Sequence, residues 1–355
     1  MTRKDLLRAR LELQTLNEPV LKTPADMVRY FGAVQAQDYL GSLWAVGQRT
    51  LGSTESSVEA ALADRSIVRS WPMRGTIHYT APEDLRWMLD LLGDRVIQKS
   101  MYHRLQAGVT KNDLIKSQTV VEKEMAGGKV LARNEVYEIF KHARIKTDNS
   151  RGLHIIGHLA LNKVLCFGPR SGKQPTFVLL DDWITGKKSL TKDESMSELA
   201  SRYFNSHGPA TVHDFAWWSG LTITEAARAL SMIEAKVNKV VVEGVDYWMA
   251  KDFALNDKVK SNVRLLPAYD EFLVAYRDRS AAETSEITKL RDRESIFTSV
   301  VIVNGHVAAV WKRTIAKKGV SFRFKRYEKF SKQTEAGLKK EMKRYAKFIA
   351  TKLLS

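Results

Sequence analysis

The 355-residue sequence has a single cysteine, Cys166, and no long apolar run. One cysteine excludes both an intrachain disulfide framework and a thiolate-rich zinc site, so we expect a reducing cytoplasmic compartment. No segment approaches the roughly 18 consecutive apolar residues of a membrane span. The first ten residues, MTRKDLLRAR, also lack the apolar core of a secretory signal. We therefore expect a protein that is neither secreted nor embedded in a membrane.

Familiar catalytic motifs are also missing. The sequence contains neither a GxSxG nucleophile motif nor a dinucleotide-binding GxGxxG motif. The segment GPRSGKQ at 168–174 is one residue short of a phosphate loop and lacks its Ser or Thr, so we interpret it as a hairpin loop whose Arg170 and Lys173 could contact phosphate. His154 and His158 have metal-ligand spacing, but no third ligand is close in sequence. We expect them to be structural, with no metal site.

The strongest compositional signal is positive charge. Fifty-seven Lys and Arg residues stand against 40 Asp and Glu, which gives a net charge of +17. Residues 311–355 alone hold 15 Lys or Arg and three Asp or Glu, interleaved with aromatic residues. A field of this sign attracts polyanions, so nucleic acid is the leading class of partner. A solvated basic helix is the plainer alternative, and an RNA-associated protein or an acidic membrane surface is less favoured.

One order of predicted elements recurs three times. Helical stretches within 24–65 lead to the strand pair SIVRSW and GTIHYT, those within 113–162 lead to VLCFG and TFVLL, and those within 196–235 lead to KVVVEG and DYWMA. Helices followed by a hairpin are typical of a winged helix-turn-helix unit, and repetition strengthens that interpretation. Thr222 and Thr224 are candidate caps for the last helix of the third copy.

The C-terminal part follows a different pattern. The segments NVRLLPAYDEFL, FTSVVIVNG, HVAAVWKR and GVSFRFKRY predict four β segments, and a helix is predicted from about Thr334 to Leu353. We expect an α+β fold of three tandem winged-helix units, a β-rich basic C-terminal region and a final helix. The predicted boundaries are 1–95, 96–190, 191–255 and 256–355.

Two neutral amides draw attention near the N-terminus, in the segment AVQAQDYLGSLW at 33–44. Gln35 and Gln37 would diverge on a helix, but in an extended stretch they would project from the same side. With Asp38 they could line one small cleft. The alternative is an ordinary polar connection between two helices.

Basic residues beside the predicted hairpins are candidates for contact with phosphate. Arg74 precedes Gly75 in the first hairpin, where a tight turn suits such a contact, although Trp71 and Arg74 could equally be a core residue and a surface residue. The full set of expected DNA-contacting residues is Arg69, Arg74, His78, Arg170, Lys173, Arg277, Lys312 and Arg313.

Five strings together resemble one protein family. They are AVQAQDY, RSWPMRGTIHYTAPED, HGPATVHDFAWWSGL, LLPAYDEFLVAYRDRS and VVIVNGHVAAVWKR, and they span residues 33–313 in order. The combination is similar to the AlkZ-like, also called YcaQ-like, bacterial winged-helix DNA glycosylases. The resemblance implies tandem winged-helix units in a C-shaped arrangement around double-stranded DNA. It also implies removal of alkylated purines, and in some members the unhooking of interstrand crosslinks.

The resemblance carries a catalytic motif, Gln-aliphatic-Gln in one branch of the family and Gln-aliphatic-Asp in another. Gln35-Ala36-Gln37 matches the first branch, with alanine as a small middle residue. The implied roles of Gln35 and Gln37 are to position water and stabilise the sugar, with Asp38 as a possible helper. No lysine nucleophile and no metal or organic cofactor is implied, and no obligate protein partner is evident from the sequence. We expect the protein in the bacterial cytosol or nucleoid. A non-catalytic DNA-binding protein or regulator on the same scaffold is the alternative.

Overall fold

The computed structural model describes residues 1–186, 188–256, 262–292 and 297–354. The elements of its N-terminal half are α1 (Arg3–Leu13), α2 (Pro24–Phe31), β1 (Ala33–Gln35), α3 (Tyr39–Gly47), α4 (Glu55–Ala63), β2 (Val68–Met73), β3 (Thr76–Thr80), α5 (Pro82–Gln106), α6 (Lys111–Glu124), β4 (Leu131–Ala132), α7 (Arg133–His142), α8 (Arg151–Leu161), β5 (Leu165–Ser171), β6 (Gln174–Leu179) and α9 (Leu180–Trp183).

The C-terminal half continues with α10 (Lys192–His207), α11 (Val212–Ser219), α12 (Ile223–Met232), a short 3₁₀ helix (Glu234–Lys236), β7 (Val237–Val242), β8 (Val245–Ala250), β9 (Val263–Leu266), α13 (Glu271–Val274), α14 (Ser285–Asp292), β10 (Val300–Val303), β11 (His306–Ala316), β12 (Gly319–Arg326) and α15 (Lys332–Phe348). The mixture of helices and strands confirms the predicted α+β class. Within the described ranges, no helix combines the length and the apolar character of a membrane span.

The chain divides into two compact units. The first unit comprises Met1–Val58 and Met196–Ser355, and the second comprises Glu59–Ser195. In the first unit, β12, β11, β10 and β9 form one antiparallel sheet in that order, and β7 pairs with β8. In the second unit, five strands are hydrogen-bonded in the order β3-β2-β5-β6-β4. The four domain boundaries proposed from the sequence stay predictions.

The predicted order of helices and hairpins is present. Helices α2–α4 precede the hairpin β2–β3, α6–α8 precede β5–β6, and α10–α12 precede β7–β8. The cap expected for α12 is also confirmed: Thr222 is its N-cap, and its hydroxyl accepts a hydrogen bond from the backbone N–H of Glu225. Helices α1, α5, α9 and α14 had no counterpart in the prediction.

Two predictions for the C-terminal region need correction. The segment NVRLLPAYDEFL is not one β segment, because the strand ends at Leu266 and Asp270 caps the short helix α13 by accepting from the backbone N–H of Phe272 at 3.0 Å. The final helix ends at Phe348 instead of Leu353. Ala350 has φ of 50°, which turns the chain out of the helix, and the last residues then pair with β12 through Val320.

Each unit has its own apolar core. In the second unit, helices α5 and α8 pack on the sheet, and Trp71 stacks on Phe167 with 4.5 Å between ring centroids. In the first unit, α15 covers one face of the C-terminal sheet, where Tyr345 packs against Trp311 and Phe322. A second aromatic cluster of the first unit surrounds His207 and consists of Phe31, Tyr203, Phe204, Phe215 and Trp218.

Candidate active site

The two glutamines follow a helix that ends abruptly. Helix α2 begins at a capping box, in which Thr23 and Asp26 satisfy each other's backbone N–H groups, and it ends at Gly32 with φ of +79°. A Cβ at Gly32 would meet the Cδ of Arg202 at 3.3 Å, and this φ is strained for other residues. The chain therefore leaves the helix directly into the extended strand β1, which ends at Gln35.

The two glutamine side chains lie in different environments. Gln35 is buried at 8% exposure, whereas Gln37 lies in a bend and is exposed. The extended conformation expected for the pair therefore covers Gln35 but stops before Gln37. Asp38, which is half-buried, is the N-cap residue of α3, and its side chain does not cap the helix. A Cβ at Gly41 would meet Oδ2 of Asp38 at 2.6 Å, so a larger residue there would displace the Asp38 carboxylate.

Gln35 has a fixed main chain and an unsatisfied side-chain acceptor. Its backbone N–H donates to Oε1 of Glu271 at 2.7 Å, a length typical of a charge-assisted hydrogen bond. Its side-chain Oε1 is buried and has no hydrogen-bond partner among the described residues. Burying an acceptor without a donor costs about 1–3 kcal/mol. Native structures keep few such atoms, and a functional role is one explanation for those they keep.

Glu271 is a buried acid that sequence reasoning missed. Only 1% of it is exposed. Its Oε2 accepts from the indole N–H of Trp218 at 3.0 Å, and Nε2 of His207 lies 3.4 Å from the same oxygen. Burial lowers the pKa of His207, and the nearby Glu271 carboxylate opposes that shift. The available signal was an acidic pair, Asp270 and Glu271, directly before the apolar run FLVAY.

The neighbouring acid, Asp270, ties α3 to the start of α13. Both of its oxygens accept from Arg49, at 2.6 Å and 2.9 Å, and its Oδ2 also accepts from Nε2 of Gln48 at 3.2 Å. Arg49 is itself fully buried and donates to Oε1 of Gln14 at 3.0 Å. A bidentate guanidinium–carboxylate pair with further hydrogen bonds is rigid. The end of α3 is therefore fixed to the segment that contains Glu271, which holds Gln35.

One face of the C-terminal sheet is basic. Lys312 on β11 lies directly opposite Arg323 on β12, and both are exposed. Like charges in direct cross-strand register repel each other, so this face favours an anionic partner. Arg313 belongs to the opposite face, where its guanidinium lies 5.3 Å from the centroid of the Tyr345 ring and is half-buried. Of the two predicted DNA-contacting residues, Lys312 is on the open face and Arg313 is on the packed one.

The tip of the same hairpin adds more positive charge. A pocket of about 670 Å³ lies between the β11–β12 turn and the end of α15, and four of its six lining residues are lysines, namely Lys317, Lys318, Lys347 and Lys352.

Arg277, the remaining candidate of this unit, is exposed just after α13. Its backbone N–H donates to Oδ1 of the buried Asp214 at 2.9 Å, which fixes the position of the loop.

The five candidates of the second unit differ in accessibility. Arg69 is buried with its guanidinium 4.3 Å from the Phe167 ring centroid, and His78 is fully buried. Arg74 lies in the β2–β3 turn with φ of 55°, is half-buried and has Nη2 3.2 Å from Nε2 of His78. Near the end of β5, half-buried Arg170 donates to the carbonyl oxygen of Lys173 in the following turn, and Lys173 is exposed. The assignment of all five to DNA contact stays a prediction.

The remaining reactive side chains have inert surroundings. Cys166 is fully buried, and burial raises the pKa of its thiol, so little thiolate forms. Burial, reinforced by Arg104, lowers the pKa of His158 to about 4. Its Nε2 lies 3.1 Å from Nδ2 of Asn162. No group of three or more potential metal ligands occurs among the residues with described positions.

Comparison with known proteins gives the family. The family model for DNA glycosylase AlkZ-like proteins matches residues 28–348. The chain belongs to the AlkZ-like DNA glycosylase family. As a member, it is an enzyme that acts on DNA. A curated relative of this AlkZ-like chain is the interstrand DNA cross-link repair glycosylase of Streptomyces sahachiroi, which is 25% identical over 329 residues and 85% of each chain.

The fold of this AlkZ-like protein also has a solved counterpart. It superposes on the Streptomyces sahachiroi DNA glycosylase AlkZ with a TM-score of 0.81 over the full length of both chains, at 22% identity. Three of the strings that carry the family resemblance meet at one carboxylate. Gln35 from AVQAQDY and Trp218 from HGPATVHDFAWWSGL both donate to Glu271 from LLPAYDEFLVAYRDRS. Segments more than 200 residues apart in sequence therefore build one site.

Proposed function

We propose that this AlkZ-like enzyme is a monofunctional DNA glycosylase that excises purines alkylated at N3 or N7 from double-stranded DNA. In this proposal water attacks C1′, and Gln35 and Gln37 are the catalytic residues. The observation that carries the proposal is the buried side-chain oxygen of Gln35, which has no donor within the described chain and belongs to a residue whose backbone is held by Glu271.

The chemistry suits two neutral amides. Alkylation at N3 or N7 gives the purine a positive charge, so its glycosidic bond breaks with little help from an acid. The enzyme must then stabilise an oxocarbenium-like sugar and place a water molecule at C1′. An oriented amide oxygen can serve both purposes, as a preorganised dipole and as a hydrogen-bond acceptor for water. An amide does not titrate, so this activity needs no tuned pKa.

The proposed reaction leaves the DNA strand intact. Strand cleavage by a bifunctional glycosylase requires an amine nucleophile that forms a Schiff base, whereas the motif here offers two amides. The products are a free alkylpurine and an abasic site. Asp38, half-buried beside the motif, is a possible helper through its negative charge.

Interstrand crosslinks are a second class of substrate that we propose. The curated relative is named for crosslink repair. A crosslink that joins two purines through N7 contains the same cationic leaving group at each end. Hydrolysis of one glycosidic bond would separate the strands, and no additional catalytic group is needed.

For binding, we propose that the three runs of helices and hairpins act as winged-helix units on duplex DNA. The net charge of +17 and the open basic face around Lys312 support this role. Such contacts neutralise phosphates without reading sequence. Binding without sequence preference suits an enzyme that must search DNA for rare lesions. We propose that the protein acts at the bacterial nucleoid.

A base-release assay tests the proposed function. Duplexes that carry N7-methylguanine or N3-methyladenine are incubated with the wild type, Gln35→Ala, Gln37→Ala and the double variant. Gln118→Ala serves as the matched control, because Gln118 is an exposed glutamine on α6 in the other unit. We expect free base from the wild type and the control, slower release from the other variants, and strand breaks only after alkali. If the wild type releases no base, the proposed glycosylase activity is wrong and DNA binding alone is the better interpretation.

A further inference from the structure

The buried carboxylate of Glu271, which contacts the backbone of Gln35, carries a desolvation cost. Glu271 is 1% exposed, and taking an ionised carboxylate out of water costs several kcal/mol unless hydrogen bonds compensate for it. Its two oxygens accept from the backbone N–H of Gln35 and the indole N–H of Trp218. Neither of these donors carries a charge, so the hydrogen bonds compensate the burial of the carboxylate only in part. Its presence therefore points to a role other than stability.

We propose that Glu271 is a positioning residue of the active site, whose carboxylate fixes the main chain of Gln35 and thereby orients the Gln35 amide. The inference rests on the proposed glycosylase function. Glu271 acts through Gln35 and is not assigned a contact with DNA.

The geometry requires a carboxylate of this length. Two N–H donors approach the two carboxylate oxygens at 2.7 Å and 3.0 Å, so both terminal atoms of the side chain must be acceptors. A glutamine at 271 has one acceptor oxygen and one NH₂ group, which would face an N–H donor. An aspartate lacks one methylene and could not reach both donors from the same backbone position.

The expected effect comes from orientation. The Gln35 side chain has no hydrogen bond at its Oε1 within the described residues, so that oxygen is positioned through the backbone, to which the bond to Glu271 adds a polar constraint. A displacement of about 1 Å in a catalytic group can cost about 100-fold in rate. Loss of the anchor should therefore slow base release while DNA affinity stays constant, because Glu271 is buried and pairs with no phosphate.

The first measurement tests the anchor without relying on activity. Hydrogen–deuterium exchange is followed in the peptide that covers residues 33–37 for the wild type and for Glu271→Gln. We expect faster exchange in that peptide for the variant. Ser219→Ala is the matched control, since Ser219 is fully buried on the same helix as Trp218 and its hydroxyl donates to the carbonyl of Phe215. Unchanged exchange at 33–37 in Glu271→Gln would overturn the proposal, whether or not the protein is a glycosylase.

The second measurement tests orientation through kinetic coupling. Single-turnover base release and DNA affinity are measured for Glu271→Gln in the wild-type and Gln35→Ala backgrounds. We expect a loss of about 10–100-fold in rate in the first background and less than about threefold in the second, because the oriented group is already absent there. Equal losses in both backgrounds would mean a purely structural role and would overturn the proposal.

A milder variant keeps the test decisive if Glu271→Gln does not fold. Trp218→Phe removes only the indole donor to Oε2 and retains an aromatic ring in the cluster. We expect a smaller rate loss with the same dependence on Gln35. A rate loss that is equal with and without the Gln35 amide would contradict the proposal. If the wild type releases no base at all, the proposed function fails, and the exchange experiment still decides whether Glu271 anchors Gln35.

Discussion

Replacement of Gln35 by methionine separates the catalytic use of the amide from its effect on stability. Methionine keeps the unbranched shape and approximate length of glutamine but has no amide. The side-chain oxygen of Gln35 is buried and accepts no hydrogen bond within the described chain, so Gln35→Met removes a buried acceptor that has no donor in the folded protein. Because the anchoring bond to Glu271 comes from the backbone, it survives the change.

The magnitudes follow from the hydrogen bonds. An unpaired buried acceptor costs about 1–3 kcal/mol, so the free energy of unfolding of Gln35→Met should be unchanged or higher by up to about 2 kcal/mol. At about 2–4 °C per kcal/mol, the Tm should stay constant or rise by several degrees. The rate of base release should fall by about 10–100-fold, since loss of one oriented polar group costs up to 10²–10³ and a cationic purine leaves readily.

Gln14→Met is the matched control. Gln14 is also fully buried, but its Oε1 accepts from Arg49 and its Nε2 donates to Tyr276, each at 3.0 Å. The same substitution there removes two buried hydrogen bonds, although Arg49 and Tyr276 keep other partners, and should lower the free energy of unfolding by about 1–3 kcal/mol. Thermal unfolding and single-turnover release are measured on both variants. A Tm of Gln35→Met that drops as far as that of Gln14→Met, or an undiminished release rate, would refute the reasoning.

Further expectations concern the second glutamine, the basic face and pH. Gln37→Ala should slow release by about 10–100-fold, and its combination with Gln35→Ala should be less than additive, as single-turnover rates of all three would show. Lys312→Gln should weaken duplex binding without a change in Tm, whereas Arg313→Gln should lower Tm, because Arg313 packs over an aromatic ring; titration and thermal melts of both distinguish the two. A titration in NaCl should give a log–log slope of about −4 or steeper, and a flat line would exclude phosphate contacts. The pKa of His158 is lowered to about 4 in the folded protein, so unfolding between pH 6.5 and pH 4 takes up a proton. The free energy of unfolding should therefore fall as the pH is lowered through this range. Measured by denaturation at several pH values, this fall should be smaller in His158→Gln.

The sequence predicted the local elements well because their signals are local. The strand pair KVVVEG and DYWMA and the cap at Thr222 depend on residues within a few positions of each other, and both are present. The segment of helix α13 was predicted as strand from its apolar, strand-like pattern. The structure differs because Asp270 caps a short helix there. Gln35 and Gln37 were singled out by their spacing, and their catalytic role, which the family resemblance implied, stays a prediction.

The surroundings of the motif could not be predicted from one sequence. Glu271 lies 236 positions from Gln35, and nothing in its local pattern shows which backbone N–H it would accept. The different environments of Gln35 and Gln37 also depend on tertiary packing, since strand β1 ends between them. Spacing alone left open whether the two amides share one side. Burial separated them, and it likewise distinguished Lys312 from Arg313 on opposite faces of one strand.

The most direct test of the central claim is single-turnover release of N7-methylguanine from duplex DNA with enzyme in excess. The wild type and Gln35→Ala are compared at concentrations that saturate the DNA, so that a difference in rate is not a difference in binding. We predict release by the wild type well above the spontaneous rate, about 10–100-fold slower release by Gln35→Ala, and intact strands before alkali treatment. Equal rates for the two proteins, or release by neither above the spontaneous rate, would contradict catalysis by the glutamine pair.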